Sequence, residues 1–302
     1  MQTELLNTNS PKIARSMVHA RRAAGSPAMD MVLTLVVITD EDGVAETLRT
    51  ATTLSKEHPS RVIGVIRGST RGRASLDAKI RVGHDSTGES ILLRVSGELT
   101  KHAESVVLPL LLPDSPVVVW WPNKAPENPS QDAIGRLAQR RLTDAESTAS
   151  PIRALRAVAR NYAPGDTDLA WTRLTPWRAL LAAALDQTST KVTGGHLVTG
   201  VGNPAAELLV GWLESRLKIK MTTQRGDADH ISSVTLTTAI GDVTIERIND
   251  STCNFSVPGA ADHHVPLRAR THAELLAEDL RRLDNDQIYE ETVTYLLKEL
   301  DA

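Results

Sequence analysis

Asp40, Glu41 and Asp42 directly follow an apolar run, MVLTLVVIT (31–39), at the place where open α/β sheets present ligands. Three carboxylates there can hold a magnesium ion, or they can complement the N-terminus of the helix after them. GVGNPA (200–205) matches the loose dinucleotide pattern G-x-G-x-x-A through Gly200, Gly202 and Ala205. Its backbone N–H groups would face a pyrophosphate, with Arg225 and Asp227 past the next strand as readers of a ribose or 2′-phosphate. Pro204 works against this, because it removes one of the donors. Asp262, His263, His264 and His272, with Cys253, are metal-ligating residue types, but their spacing fits no zinc pattern. His84, Asp85 and Ser86 have the residue types of a hydrolytic triad, yet consecutive side chains cannot form the relay. With no G-x-S-x-G, H-E-x-x-H or Walker motif present, the expectation is a chain with no catalytic set, no cofactor and no metal.

A different kind of chemistry is concentrated in LLLPDSPVVVWWPNKAPENPSQDAIGRLAQRR (110–141). A strand over 116–121 ends in Trp120 and Trp121, whose side chains must leave on opposite faces. One of them covers a second layer of helices or stands ready for a partner. Ser130 caps an expected helix carrying Ile134, Leu137 and Ala138 inward, with Arg136 and Arg140 one turn apart. Arg141, Arg153, Arg156 and Arg160 continue the basic block, and all five tryptophans (120, 121, 171, 177, 212) fall between residues 120 and 212, a span that overlaps it. Aromatic residues with arginine are the composition of interface hot spots. An interdomain core is the competing reading.

The elements that would position these residues emerge from periodicity. Residues 31–39 read as a central parallel strand covered on both faces, followed by a helix to about residue 57 and a strand over 61–66. Two alternating segments, 77–82 and 90–95, suggest an antiparallel pair at the sheet edge. A helix over 98–108 precedes the tryptophan strand, and Pro109 should bend or end it. Before all of these, Ser10 and Pro11 open an amphipathic helix with Ile13, Met17 and Ala20 or Ala24 on one face. This reading is preferred to a basic transit peptide over 12–26. In the second half, Thr175 and Pro176 start a helix, and strand 191–199, helix 205–217 and strand 218–222 form a βαβ unit. Segments 231–238, 242–248 and 252–257 form an antiparallel meander. Thr271 and Glu274 make a capping box, and a final helix spans 286–300. The predicted fold class is α/β: an N-terminal doubly wound, mostly parallel sheet domain (1–145), a linker (146–165), and a second α/β (α+β) domain (166–302) with the meander and terminal helices.

The 302 residues, 41% hydrophobic and 24% charged, are ample for two hydrophobic cores. A net charge of −3 argues against nucleic acid as the main partner. Apolar runs stay far below the ~20 residues of a membrane span, so no membrane association is expected. A single cysteine, Cys253, fits a reducing cytoplasm.

Several phrases together resemble one family. MVLTLVVITD (31–40), EHPSRVIGVIRG (57–68), LLLPDSPVVVWWP (110–122), NPSQDAIGRLAQRRLTDA (128–145), GDTDLAWTRLTPWRALL (165–181) and AEDLRRLDNDQIYE (277–290) look like the glucose-6-phosphate dehydrogenase assembly proteins called OpcA, in their actinobacterial form. The resemblance runs from about residue 5 to 295. It implies a non-catalytic partner that binds glucose-6-phosphate dehydrogenase, favours its active oligomer and raises its activity at the entry to the oxidative pentose phosphate pathway. Trp120, Trp121, Arg136, Arg140 and Arg141 are then expected to supply part of the contact. Cyanobacterial members are associated with redox control through cysteines, and a chain with Cys253 alone departs from that pattern. Two readings stand beside this one. The chain could be a nucleotide- or sugar-phosphate-binding enzyme using the Gly200–Pro204 turn, or a sensor whose α/β cleft takes a metabolite that tunes the partner.

Overall fold

The computed structural model describes residues 1–25, 31–83, 89–188 and 190–301. Their backbone forms two compact units: residues 1–144 with 163–167 and 272–285, and residues 145–162 with 168–271 and 286–302. The stretch 146–165, expected as a linker, carries a helix, and residues 272–285 group with the first unit instead of with 166–302.

In chain order the first unit begins with β1 (Gln2–Leu5), α1 (Ser10–Ala24), β2 (Leu33–Thr39), α2 (Val44–Leu54), β3 (Ser60–Arg67), β4 (Ser75–Val82), β5 (Glu89–Ser96) and the short α3 (Ala103–Val107). It continues through β6 (Val117–Trp121) and β7 (Arg140–Thr143). The chain then forms α4 (Pro151–Arg160), β8 (Asp166–Asp168), α5 (Leu169–Arg173), α6 (Thr175–Asp186), β9 (Val192–Thr199), α7 (Pro204–Leu217) and β10 (Met221–Arg225). The meander β11 (Ile231–Thr238), β12 (Gly241–Asn249) and β13 (Thr252–Ser256) comes next, with β14 (His263–Pro266), α8 (His272–Asp279) and α9 (Gln287–Leu300) last.

The eight-stranded sheet runs β1-β4-β5-β3-β2-β6-β7-β8. Strands β5, β3, β2, β6 and β7 pair in parallel, while β4 and β1 add an antiparallel edge. Every residue of β2 and β6 is buried, as nearly continuous apolar runs require when both faces of a sheet are covered. One face carries Val36, Ile38, Ile63, Val65, Val119 and Trp121 in a core shared with Ile13, Met17 and Ala20 of α1. On the other side α2 lies against β2 and β3 and packs on α8. The cap of α1 is Asn9, one residue before the expected Ser10; its side chain accepts the Lys12 N–H at 3.1 Å. Residues 97–110 form α3 flanked by two 3-10 turns in place of one continuous helix.

The second unit has a six-stranded sheet, β10-β9-β11-β12-β13-β14. β9 and β10 are parallel and joined by α7, and the remaining pairs are antiparallel. Trp171, Trp177, Leu181, Leu208, Leu209, Leu236, Ile245, Tyr289 and Val293 belong to its core. The fold class is therefore the one expected: mixed α/β, with a parallel-rich sheet in one unit and a meander in the other. Among the described residues, no helix is long and apolar enough to cross a membrane.

Candidate functional site

Strand β6 delivers Trp120 and Trp121 to opposite faces, and both are 1% exposed. Trp121 enters the core shared with α1. Trp120 lies beside Leu142 of β7 in the sheet register, and its ring centroid is 6.4 Å from that of His272 at the start of α8. The doubly covered sheet resolves the first alternative posed by the pair, because each indole has a layer to fill. The five tryptophans do not make one cluster. Trp171 and Trp177 belong to the second unit's core, where the Trp171 indole N–H donates to Asp286 at 2.7 Å and the Arg178 guanidinium sits 3.8 Å from its ring centroid. Trp212 is half-buried against the same core.

Residues 130–141 do not form the expected helix. Asn128 accepts the Gln131 N–H at 3.2 Å and caps a 3-10 turn over Pro129–Gln131. Asp132 then organises the residues just beyond it. Its Oδ1 accepts from Ile134 N at 3.0 Å and Gly135 N at 3.2 Å, while the carboxylate receives Arg67 Nη2 at 3.0–3.1 Å. An Asp side chain that satisfies backbone donors locally offers the chain an alternative to the helical ladder. A second 3-10 turn over Gly135–Leu137 leads into β7.

The arginines separate sharply. Arg140 and Arg141, in β7, are 2% and 7% exposed. Arg140 is ion-paired with Asp279 of α8, and Arg141 with Asp166 of β8. Arg141 also donates to the Ala138 carbonyl at 2.8 Å. Burial pushes the Asp166 carboxyl above its ordinary range, against the pull of the Arg141 guanidinium and the Ala163 N–H. Beside them, His272 contacts the buried Asp144 carboxylate at 2.9 Å. Arg136 alone of the five expected contact residues is exposed. Of the other arginines in the block, Arg156 pairs with Glu207 at 2.8 Å and Arg160 with Asp301 at 3.4 Å. The partners Asp132, Asp144, Asp166 and Asp279 were not legible as site residues. Asp132 and Asp144 flank the arginines in sequence, but Asp166 and Asp279 lie 25 and 139 residues from the buried guanidinium groups they balance, and no local pattern marks them.

His84, Asp85 and Ser86 lie outside the described residues. Among the described residues no group of three His, Cys, Asp or Glu side chains stands close enough to hold a metal ion. Asp262 bonds Asn254 at 3.0 Å, and Cys253 is fully buried, its thiol pushed up by that burial. Glu41 is tied to Arg94 at 2.8 Å, and Asp40 Oδ1 accepts the Gly43 N–H at 2.8 Å. The Gly200–Pro204 turn does join β9 to α7. Its Asn203 carboxamide accepts the Ala206 N–H at 3.0 Å, so the helix start is capped by the chain itself. The cavity beside that turn, of about 520 Å³, is bordered by Glu207, Glu214 and Glu299 and by Arg156 and Arg225. Glu207 neutralises Arg156 and Lys220 pairs with Glu299, which leaves Glu214 and Arg225 to balance each other.

The geometry defines a two-unit α/β protein in which most of the conspicuous charged and aromatic side chains build internal structure. Two family models match it: the glucose-6-phosphate dehydrogenase subunit N-terminal domain over residues 51–160, and the C-terminal domain of the same subunit over residues 164–293. The chain belongs to this OpcA family of glucose-6-phosphate dehydrogenase subunits. A Synechocystis sp. protein named for OpcA and the OxPP cycle is 28% identical over 187 residues, covering 56% of this chain and 39% of that relative's length. Among solved structures, a Clostridium difficile dehydrogenase, MviM, aligns with 89% of this chain and 97% of its own at a TM-score of 0.45 and 6% identity. A Sinorhizobium meliloti oxidoreductase aligns with 89% and 87% at 0.40 and 11%. Neither score reaches the level of a shared fold, and nothing about this chain rests on them.

Proposed function

We propose that this chain is a non-catalytic assembly factor and allosteric activator of glucose-6-phosphate dehydrogenase, acting in the cytoplasm. The observation that carries the reading is that both halves of the chain match domains of a subunit of that enzyme. A partner activates only by binding the active conformation or oligomer more tightly than the inactive one. A tenfold shift takes about 1.4 kcal/mol of differential binding.

The stretch 120–141 is our proposed contact. Arg136 is its surface side chain. Trp120, Trp121, Arg140 and Arg141 act from beneath, by holding the two 3-10 turns and β7 in shape. Size-exclusion chromatography of the mixed proteins, with dehydrogenase kinetics on the complex, tests the function: co-elution with a raised kcat or lowered KM is expected, and separate elution with unchanged kinetics rejects it. For the contact, Arg136→Ala should lower activation several-fold and leave stability within about 0.5 kcal/mol, as an exposed position allows. Wild-type activation by this variant would move the contact elsewhere.

The alternative of a nucleotide- or sugar-phosphate-binding enzyme at the Gly200–Pro204 turn draws on one observation. The hydroxyl of Thr199, 4% exposed at the end of β9, has no partner among the described residues. Calorimetric titration with NADP, NAD and ATP tests it: tight binding without the dehydrogenase would favour it over the assembly role.

A further inference from the structure

We propose that the C-terminal edge of the first unit's parallel sheet is a binding site for a small hydroxylated phosphate monoester. From β2 the chain passes to β3 on one side and, later, to β6 on the other. Connections that diverge in this way leave a crevice beyond the strand ends, where open α/β sheets bind ligands. Here the crevice is a cavity of about 320 Å³, at the small end of ligand pockets, bordered by Thr39, Asp40, Arg67, Trp121, Asn123 and Lys124.

Its donors set the ligand class. Thr39 is 8% exposed and Trp121 1%, yet the threonine hydroxyl and the indole N–H have no partner among the described residues. Arg67 anchors one nitrogen on Asp132 and leaves its buried Nε–H without an acceptor among them. Buried donors are nearly always satisfied, and all three of these belong to residues that border the cavity, so its occupant is where their acceptors are to be sought. Indole and guanidinium N–H groups cannot accept, which excludes a cation and selects an oxyanion. Lys124 is on the rim, with no ion pair among the described residues, and adds positive charge. Glu41, the nearest acid in sequence besides Asp40 and Asp42, is held by Arg94. Asp40, already receiving the Gly43 N–H, offers carboxylate acceptors for hydroxyls beside the oxyanion.

Gly43 keeps the site open, because a Cβ there would lie 3.0 Å from both Asn123 Nδ2 and Thr39 Oγ1. Neither the helix start at α2 nor the acidic turn would make a site alone. The case rests on the buried donors and on Lys124, since Asp132 already balances the charge of Arg67. The site would make the chain a receiver of a metabolite signal in addition to a binding partner.

The test is isothermal titration of the full chain, without any dehydrogenase, using glucose 6-phosphate, glycerol 3-phosphate, inorganic phosphate and glucose. Its outcome is thereby separate from that of the assembly role. We expect saturable binding of the two monoesters, weaker binding of inorganic phosphate and none of glucose. Thr39→Val removes the unpartnered hydroxyl at constant shape, so it should weaken binding about tenfold, or 1.4 kcal/mol, without lowering the thermal midpoint. Lys124→Ala, at a rim position where folding is not at risk, should weaken it similarly. The proposal is overturned if no phosphate gives saturable heat, if glucose binds as well as glucose 6-phosphate, or if both variants keep wild-type affinity.

Discussion

Two strand-to-helix turns, 39–43 after β2 and 199–204 after β9, have the same place in their respective sheets and opposite chemistry. Each strand ends in a buried threonine whose hydroxyl lacks a partner among the described residues, and each turn contains a glycine that a neighbouring group approaches closely. Only the second has a glycine-rich fingerprint. Only the first adds an indole and a guanidinium N–H that are buried without acceptors. At 199–204 the helix start is capped by Asn203, and the cavity wall carries three carboxylates against two arginines. Of the groups that would cradle a phosphate there, the Ala206 N–H is committed to Asn203 and the Arg156 guanidinium to Glu207. A fingerprint of glycines records that the backbone can approach a ligand. Side chains brought in from other strands decide whether anything is there to hold one.

Five substitutions would break or sharpen that contrast, taken from the largest expected effect. Asp132→Ala releases Arg67 and uncaps Ile134 and Gly135 together. It should cost about 3 kcal/mol in chemical denaturation, since charged hydrogen bonds are lost and a half-buried guanidinium is stranded. A loss below about 1 kcal/mol would mean that the 3-10 turns do not depend on this carboxylate. Next is Gly200→Ala, whose Cβ would meet the Ala228 carbonyl oxygen at 2.5 Å and Asp229 Cα at 2.6 Å, both backbone. It should destabilise the protein by about 2 kcal/mol with phosphate binding unchanged. Gly43→Ala meets only side-chain atoms, at 3.0–3.1 Å, and should show the reverse: little change in the melting temperature, weaker phosphate binding. Equal melting shifts for the two variants would remove the distinction between the turns.

Asn203→Ala should cost about 1 kcal/mol, the ordinary worth of a helix cap, again without touching phosphate affinity. Thr199→Val is the smallest. Deleting an unpartnered buried hydroxyl should leave stability unchanged or raise it by up to about 1 kcal/mol. A clear loss would show that the Thr199 hydroxyl is already bonded within the chain, and would remove the one observation behind the nucleotide reading of that turn.

Much of the scaffold was legible from local pattern. Leu33–Thr39 and Val117–Trp121 announced doubly covered strands because a nearly continuous apolar run rich in β-branched residues has no polar face to give to water. The meander and the β9-α7-β10 unit were visible for the same reason, as alternation and turn residues are local properties. Residues 130–141 were misread as a helix because Ile134, Leu137 and Ala138 have helical spacing, and only the position of Asp132 against Arg67 shows why the chain turns instead. The contact residues were legible as a composition and not as a surface. Trp120, Trp121, Arg140 and Arg141 have the makeup of a hot spot, yet their partners in the structure are layers and carboxylates of the same chain.

The amino-acid order alone settled the fold class, the family, and the lack of any familiar catalytic motif, because these depend on periodicity and on phrases read within a few tens of residues. Which arginines are buried and which meets solvent was decided only in three dimensions. Asp279 lies 139 residues from Arg140, and Arg67 lies 65 from Asp132. The same holds for the oxyanion pocket, whose donors come from three separate strand ends and from the loop after Trp121. Pairing over such separations leaves no pattern in the sequence, since a carboxylate satisfies a guanidinium from any position that the sheet brings within about 3 Å.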